Sequence, residues 1–131
     1  MRHRQQPSPT SCGPASAAML ADVPVWRLIE RLPHVRLSPS RRRLRTHRTN
    51  LGELRRLLAP YRMVVGRRED GLPRDGHLAL LRIAHPIGRG WHWAVASAGQ
   101  VFDPARTTVV TVASLQKRIG VGRCAWYPVH R

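Results

Sequence analysis

The stretch Gln5-Gln6-Pro7-Ser8-Pro9-Thr10-Ser11-Cys12-Gly13-Pro14 runs directly into Ala15-Ser16-Ala17-Ala18-Met19-Leu20-Ala21, and the junction constrains everything near it. Pro7 and Pro9 keep the leading segment extended, because proline fixes φ and disfavours the helical region for the residue before it. Pro14 suits the first turn of a helix, where its missing N–H has no intrahelical partner to lose. The alanine-rich run that follows has strong helix preference, which predicts a helix over about Pro14 to Ala21. Cys12 therefore falls at or just before a helix N-terminus. The unpaired N–H groups and macrodipole there favour an anion, and for cysteine that anion is the thiolate, the nucleophilic form.

The chain has 131 residues, enough for one domain with one core and no covalent staples, so a single domain over 1–131 is expected. Apolar residues make up 42% of it, which argues against wholesale disorder. No apolar run approaches the roughly 20 residues that span a bilayer, and Arg2 and Arg4 are followed by no long apolar segment. The reading is a cytoplasmic protein without a membrane span. Two cysteines make no disulfide framework in a chain of this size. Cys12 reads as a functional thiol and Cys124, within Cys124-Ala125-Trp126-Tyr127-Pro128-Val129, as a small core residue.

After Asp22-Val23-Pro24, a second helix is predicted from Val25, Leu28, Ile29 and Leu32, spaced to share one face. Pro39 to Arg48 is a basic block that reads as a loop or a solvated helix edge. Asn50 as N-cap and Glu53 at the third helical position predict a capping box, with Leu51, Leu54, Leu57 and Leu58 as the apolar stripe behind it. The second half reads as β. Strand-like runs cover Tyr61 to Val65, His77 to Ala84, Trp91 to Ser97, Gln100 to Phe102, Thr107 to Val112 and Cys124 to Val129, with a turn at Ile87 to Gly90, a tight return at Ala98-Gly99 and a short helix capped by Ser114. Helices first and sheet second give an α+β class, N-terminal helices packed on a C-terminal antiparallel sheet.

A base for the Cys12 thiol is at hand in His92, which lies between Trp91 and Trp93 in an apolar strand. Across a hairpin closing near Ala98 and Gly99, Asp103 falls close to His92 at the open end. A carboxylate there fixes the imidazole tautomer and stabilises the imidazolium, as a Cys–His pair requires. Gln6 is the candidate oxyanion donor beside the N–H of Cys12, and Gln5 is its competitor for that role. The remaining histidines, His3, His34, His47, His77, His85 and His130, show no metal-ligand spacing, so neither a metal nor a cofactor is expected.

These residues, taken in order, carry a resemblance. Gln6, then Ser11-Cys12-Gly13-Pro14-Ala15 leading a helix, then Gly90-Trp91-His92-Trp93-Ala94-Val95, then Val101-Phe102-Asp103-Pro104, is similar to the papain-like cysteine peptidases, in particular the branch that includes bacteriocin-processing peptidases that remove double-glycine leaders. The resemblance implies a papain-like fold, with Gln6 as oxyanion donor, Cys12 as nucleophile, His92 as general base and acid, and Asp103 as its orienter. Ser11 stands where that branch commonly has an acidic residue. The spacing of His92 and Asp103 is shorter than usual, and neither a membrane segment nor a nucleotide-binding domain follows. The implied chemistry is hydrolysis of a peptide or amide bond through an acyl-thioester, by a free-standing member acting on a peptide or protein substrate. Deamidase, transpeptidase-like and toxin-type effector chemistry belong to the same fold.

The net charge is +16, and Lys117 is the single lysine among 23 basic residues. Such a field attracts acidic partners and nucleic acid. A catalytically silent papain-like module that docks nucleic acid or an acidic protein through its arginines is therefore the competing reading. No nucleic-acid-binding motif accompanies the charge.

Overall fold

A computed structural model describes residues 1–32, 35–37, 43–45, 48–74, 76–84, 91–119 and 123–131. Helix α1 spans Cys12–Ala21, and every residue from Gly13 to Leu20 is buried. A helix that is small and apolar all round has no solvent face to present, so it becomes the centre of the packing. It starts two residues before the position the proline suggested and ends at Asp22, whose left-handed φ of 54° lets its N–H reach Ala18 O. Pro24 then admits the short helix α2, Val25–Ile29, which anchors the fully buried Leu28. Helix α3, Leu51–Leu58, opens with the expected capping box: Glu53 N–H donates to Asn50 Oδ1 at 2.8 Å, and Asn50 N–H donates to Glu53 Oε1 at 3.2 Å.

Within the basic block, Arg43–Arg45 forms β2, antiparallel to β1, Val35–Leu37. The rest of the block up to residue 47, and the turn expected at Ile87 to Gly90, lie outside the described residues. Seven further strands form one sheet: β3 Val64–Val65, β4 Glu69–Asp70, β5 Ala79–Ala84, β6 Trp91–Ser97, β7 Gln100–Phe102, β8 Val110–Thr111 and β9 Cys124–His130. The order is β3-β9-β5-β6-β7-β8, with β4 also on β9, and every pairing is antiparallel. The protein is thus α+β, as the sequence pattern indicates.

Some expected boundaries move. Tyr61 belongs to a 3-10 turn, Ala59–Tyr61, so the strand there shrinks to two residues. The run from Thr107 contributes only Val110 and Thr111, which pair with Val101 and Gln100 of the three-residue strand β7. Helix α4 begins at Val112, ahead of Ser114, because Thr111 Oγ1 accepts the Ser114 N–H at 3.1 Å and Thr111 takes over the capping.

The period-two alternation of the strands divides the core in two. Leu80, Trp93, Val95, Tyr127 and Val129 face α1, α2 and α3. Ala79, Leu81, Ile83, Ala94, Ala96, Val101 and Cys124 face the other way, where Leu115 of α4, Val112–Ile119, packs on them. Cys12 packs with the first group and Cys124 lies in the second, and both thiols are free. No described helix is long and apolar enough to cross a membrane.

The β6–β7 hairpin turns through Ala98 at φ 52° and Gly99 at φ 77°. Two consecutive positive φ values define the turn class that favours Asn-Gly, and alanine is strained at the first of them. Ala98→Asn is expected to stabilise the fold by roughly 0.5–1 kcal/mol. A urea unfolding midpoint that rises checks this, and one that falls contradicts it.

Candidate active site

The segment ahead of α1 delivers Cys12 through a tight turn. Ser11 is fully buried, its Oγ donates to Ser8 O at 2.9 Å, and it accepts the Ser8 N–H at 3.0 Å. A serine closes this turn with its own hydroxyl; a carboxylate there would be a buried charge. Gly13 follows because nothing larger fits: a Cβ would lie 1.7 Å from Thr49 Oγ1 and 3.0 Å from Thr49 Cβ. This close approach brings the Thr49 segment against the start of α1. Thr49 O in turn accepts the indole N–H of Trp93 at 3.0 Å, tying that segment to β6.

The far side of the site is the open end of the β6–β7 hairpin. Strand β7 pairs with β6 only from Val95 to Ser97, so β6 continues beyond its neighbour toward Trp91. In the space this leaves, the backbone N–H of Trp93 favours the charged form of the Cys12 sulfur. His92 stands beside it. Its Nε2–H donates to Asp103 Oδ1 at 2.6 Å, and the ring and the Cys12 thiol each favour the charged form of the other. With Nε2 on the carboxylate, Nδ1 is the nitrogen left for the thiol.

Asp103 is itself held from several sides. Its Oδ1 accepts the Ala105 N–H at 2.9 Å, Arg106 Nε lies 3.7 Å from Oδ2, and His3 Nε2–H donates to its backbone carbonyl at 2.8 Å. The side chains of His92 and Asp103 are only 15% and 16% exposed, so their ion pair is shielded from most of the solvent screening that weakens surface pairs.

Charge stabilisation follows from this geometry. Burial pushes the Cys12 thiol up, but the His92 hydrogen bond, the N–H of Trp93, the imidazolium charge and the N–H of Gly13 together outweigh it and hold the thiol below its ordinary value. Burial alone would lower His92. The hydrogen bonds to Asp103 and Cys12, with the negative charges of both, instead raise it to about 9. Burial likewise opposes ionisation of Asp103, yet the bond from His92, its charge, the Ala105 N–H and Arg106 keep the carboxyl below its usual range. Cys124 has only burial acting on it and is pushed up.

The sulfur and the imidazole open into a cleft of about 480 Å³, whose walls include Thr49, Arg82, Trp91, Trp93 and Tyr127. Trp93 is buried in the α1 side of the core, whereas Trp91 is 40% exposed at the cleft wall. Among the described residues no group of three or more His, Cys, Asp or Glu side chains is arranged to hold a metal ion.

Of the four sequence-derived site residues, the structure brings Cys12, His92 and Asp103 together. Gln6 is not among the residues that line the cleft. Its Nε2 donates to Ser8 O at 2.9 Å and its backbone N–H to Pro104 O at 2.8 Å, and it lines an adjoining depression that shares Pro9 with the cleft. Gln5 reaches outward, toward Arg106 O at 3.5 Å. Sequence reasoning missed His3, Thr49 and Arg106. Arg106 was within reach of a local reading, three residues beyond Asp103 in the same turn, whereas His3 lies 100 residues away from it.

No family model, no curated protein and no solved structure matches this chain.

Two outcomes test the site. Alkylation of Cys12 by iodoacetamide should be lost only as pH falls through the lowered thiol value, and should rise again near pH 9 as the imidazolium gives up its proton. His92→Ala leaves burial acting on the thiol without its main offset, so alkylation at pH 7 should slow by about tenfold or more. Equal rates at Cys12 and Cys124 in the unmodified protein at pH 7 would contradict the pair. Separately, Gly13→Ala forces Thr49 away from α1 and should cost about 1–3 kcal/mol in denaturant unfolding. An unchanged midpoint would mean the contact is slack.

Proposed function

We propose that this protein is a cysteine-dependent amide hydrolase of papain-like fold, acting on a peptide or protein substrate. The observation that carries the reading is the imidazole of His92, hydrogen-bonded to Asp103 Oδ1 at 2.6 Å and lining, with Cys12, one open cleft. A thiolate–imidazolium pair is the activated form of nucleophile used in acyl transfer.

In the first step the Cys12 thiolate attacks the carbonyl carbon of the amide and forms a C–S bond. The C–N bond breaks, and His92 Nδ1 gives its proton to the departing amine. Water then attacks the thioester carbon and His92 takes up a proton from it. The C–S bond breaks with its electron pair returning to sulfur, and a carboxylic acid leaves. Asp103 stays ionised throughout and holds the ring so that Nδ1 faces the sulfur.

The carbonyl oxygen carries negative charge in both tetrahedral intermediates. The N–H of Cys12, at the start of α1, is one donor for it. Gln6 supplies the second in this reading. One of its two amide hydrogens is on Ser8 O and the other remains for the substrate oxygen.

The test is incubation of the protein with a proteome-derived peptide library, followed by mass spectrometry of new termini. Cleavage is expected with the unmodified chain and absent with Cys12→Ala. Gln6→Ala should lower turnover about 10²- to 10³-fold, the usual cost of one oxyanion donor. Turnover should decline as pH rises past about 9, where His92 loses the proton that the amine must receive. Identical peptide patterns with the unmodified chain and Cys12→Ala would overturn the assignment.

A further inference from the structure

Arg82 occupies an unusual place for a charged residue. It lies in β5, a central strand flanked by β6 and β9, within the run Ala79-Leu80-Leu81-Arg82-Ile83-Ala84. The register sets it opposite Trp93, and alternation along β6 puts Trp91 on the same face. Its guanidinium carbon sits 4.0 Å from the centre of the Trp91 ring, inside the range of a close cation–π contact. Both residues belong to the wall of the cleft into which Cys12 opens.

Stacking on the indole fixes the guanidinium but leaves its donors unspent. Arg82 Nε is buried and has no hydrogen-bond partner among the described residues. A buried guanidinium nitrogen without an acceptor is costly for folding alone and is expected where a ligand supplies the missing acceptor. Among the described residues around the cleft there is no aspartate or glutamate, and Arg48 stands at its rim. Asp103, the nearest carboxylate to the reacting groups, is already bonded to His92, Ala105 and Arg106. Among the described residues, therefore, the cleft lining carries the Arg82 guanidinium and no carboxylate.

We propose that Arg82, held on Trp91, is an anion-recognition residue, and that the cleft selects acyl substrates carrying a carboxylate within reach of the Cys12 sulfur. The guanidinium plane gives such a carboxylate a two-pronged donor that lysine would not supply. The net charge of +16 draws anionic substrates toward the protein from a distance, and Arg82 positions them once they enter. This specificity rests on the hydrolase reading above, and the test separates the two.

The probes are iodoacetate and iodoacetamide, which alkylate the same sulfur and differ by one negative charge. Rates at Cys12 are measured on the full chain at low ionic strength by mass spectrometry of the modified peptide. The iodoacetate-to-iodoacetamide ratio should fall about fivefold in Arg82→Gln, while the iodoacetamide rate stays within about twofold. Arg118→Gln, on α4 at the opposite face, should leave the ratio unchanged. Trp91→Ala removes only an exposed platform and should lower the ratio in the same direction, which keeps the proposal testable if Arg82→Gln does not fold. Arg82→Lys should retain part of the preference. An unchanged ratio in both Arg82→Gln and Trp91→Ala overturns the anion site. Slow iodoacetamide alkylation of Cys12, no faster than Cys124, would instead strike the hydrolase reading and leave the charge preference standing.

Discussion

The imidazole of His92 is the group on which the site depends, because three ionisable side chains are drawn out of water around it. Each of Cys12, His92 and Asp103 has burial as its largest single influence, and burial opposes charge in every case. Only their mutual bonds reverse that sign. Removing one member would leave the others as partly buried charges without partners, which is more costly than removing the whole set. The arrangement is therefore interdependent: the thiolate needs the imidazolium, and the imidazolium needs the carboxylate.

Much of the rest of the fold holds these three groups in place. Helix α1 is buried on all sides, so Cys12 is fixed by packing rather than by a flexible loop. The early end of β7 leaves the edge of β6 open, and the Trp93 backbone N–H there favours the charged form of the sulfur. The absent side chain of Gly13 lets Thr49 close on the helix start, and Trp93 bonds Thr49 from the other direction. The N-terminal segment then crosses the Asp103 turn, with His3 on the Asp103 carbonyl and Gln6 on that of Pro104. The first residues of the chain thus brace the turn that carries the Asp103 carboxylate.

What could be read from the sequence was what depends on neighbours along it. The Asn50–Glu53 capping box is a three-residue relationship and stands as expected. The meeting of His92 and Asp103 needed only the Ala98-Gly99 turn and the strand period, and both are present. Cys12 at a helix start followed from Pro14 and the alanines. Relationships that span the chain left no such trace. Nothing near His3 signals Asp103, and nothing near Gly13 signals Thr49. Arg82 lies inside the strand-like run His77 to Ala84, and its meaning comes from Trp91 on the adjacent strand. Gln6 was visible as a residue, but its present bond to Ser8 O depends on the local turn and could not be deduced from spacing.

The central claim is that His92 is an imidazolium held between a thiolate and a carboxylate, and its titration measures this directly. Nitrogen-15 NMR of the His92 ring in the intact protein should show a midpoint near 9, with Nε2 protonated toward Asp103 on both sides of it. In Asp103→Asn the midpoint should move down by at least one unit as the carboxylate charge is lost. A midpoint near that of a free histidine in the unmodified protein, insensitive to Asp103→Asn, would contradict the account.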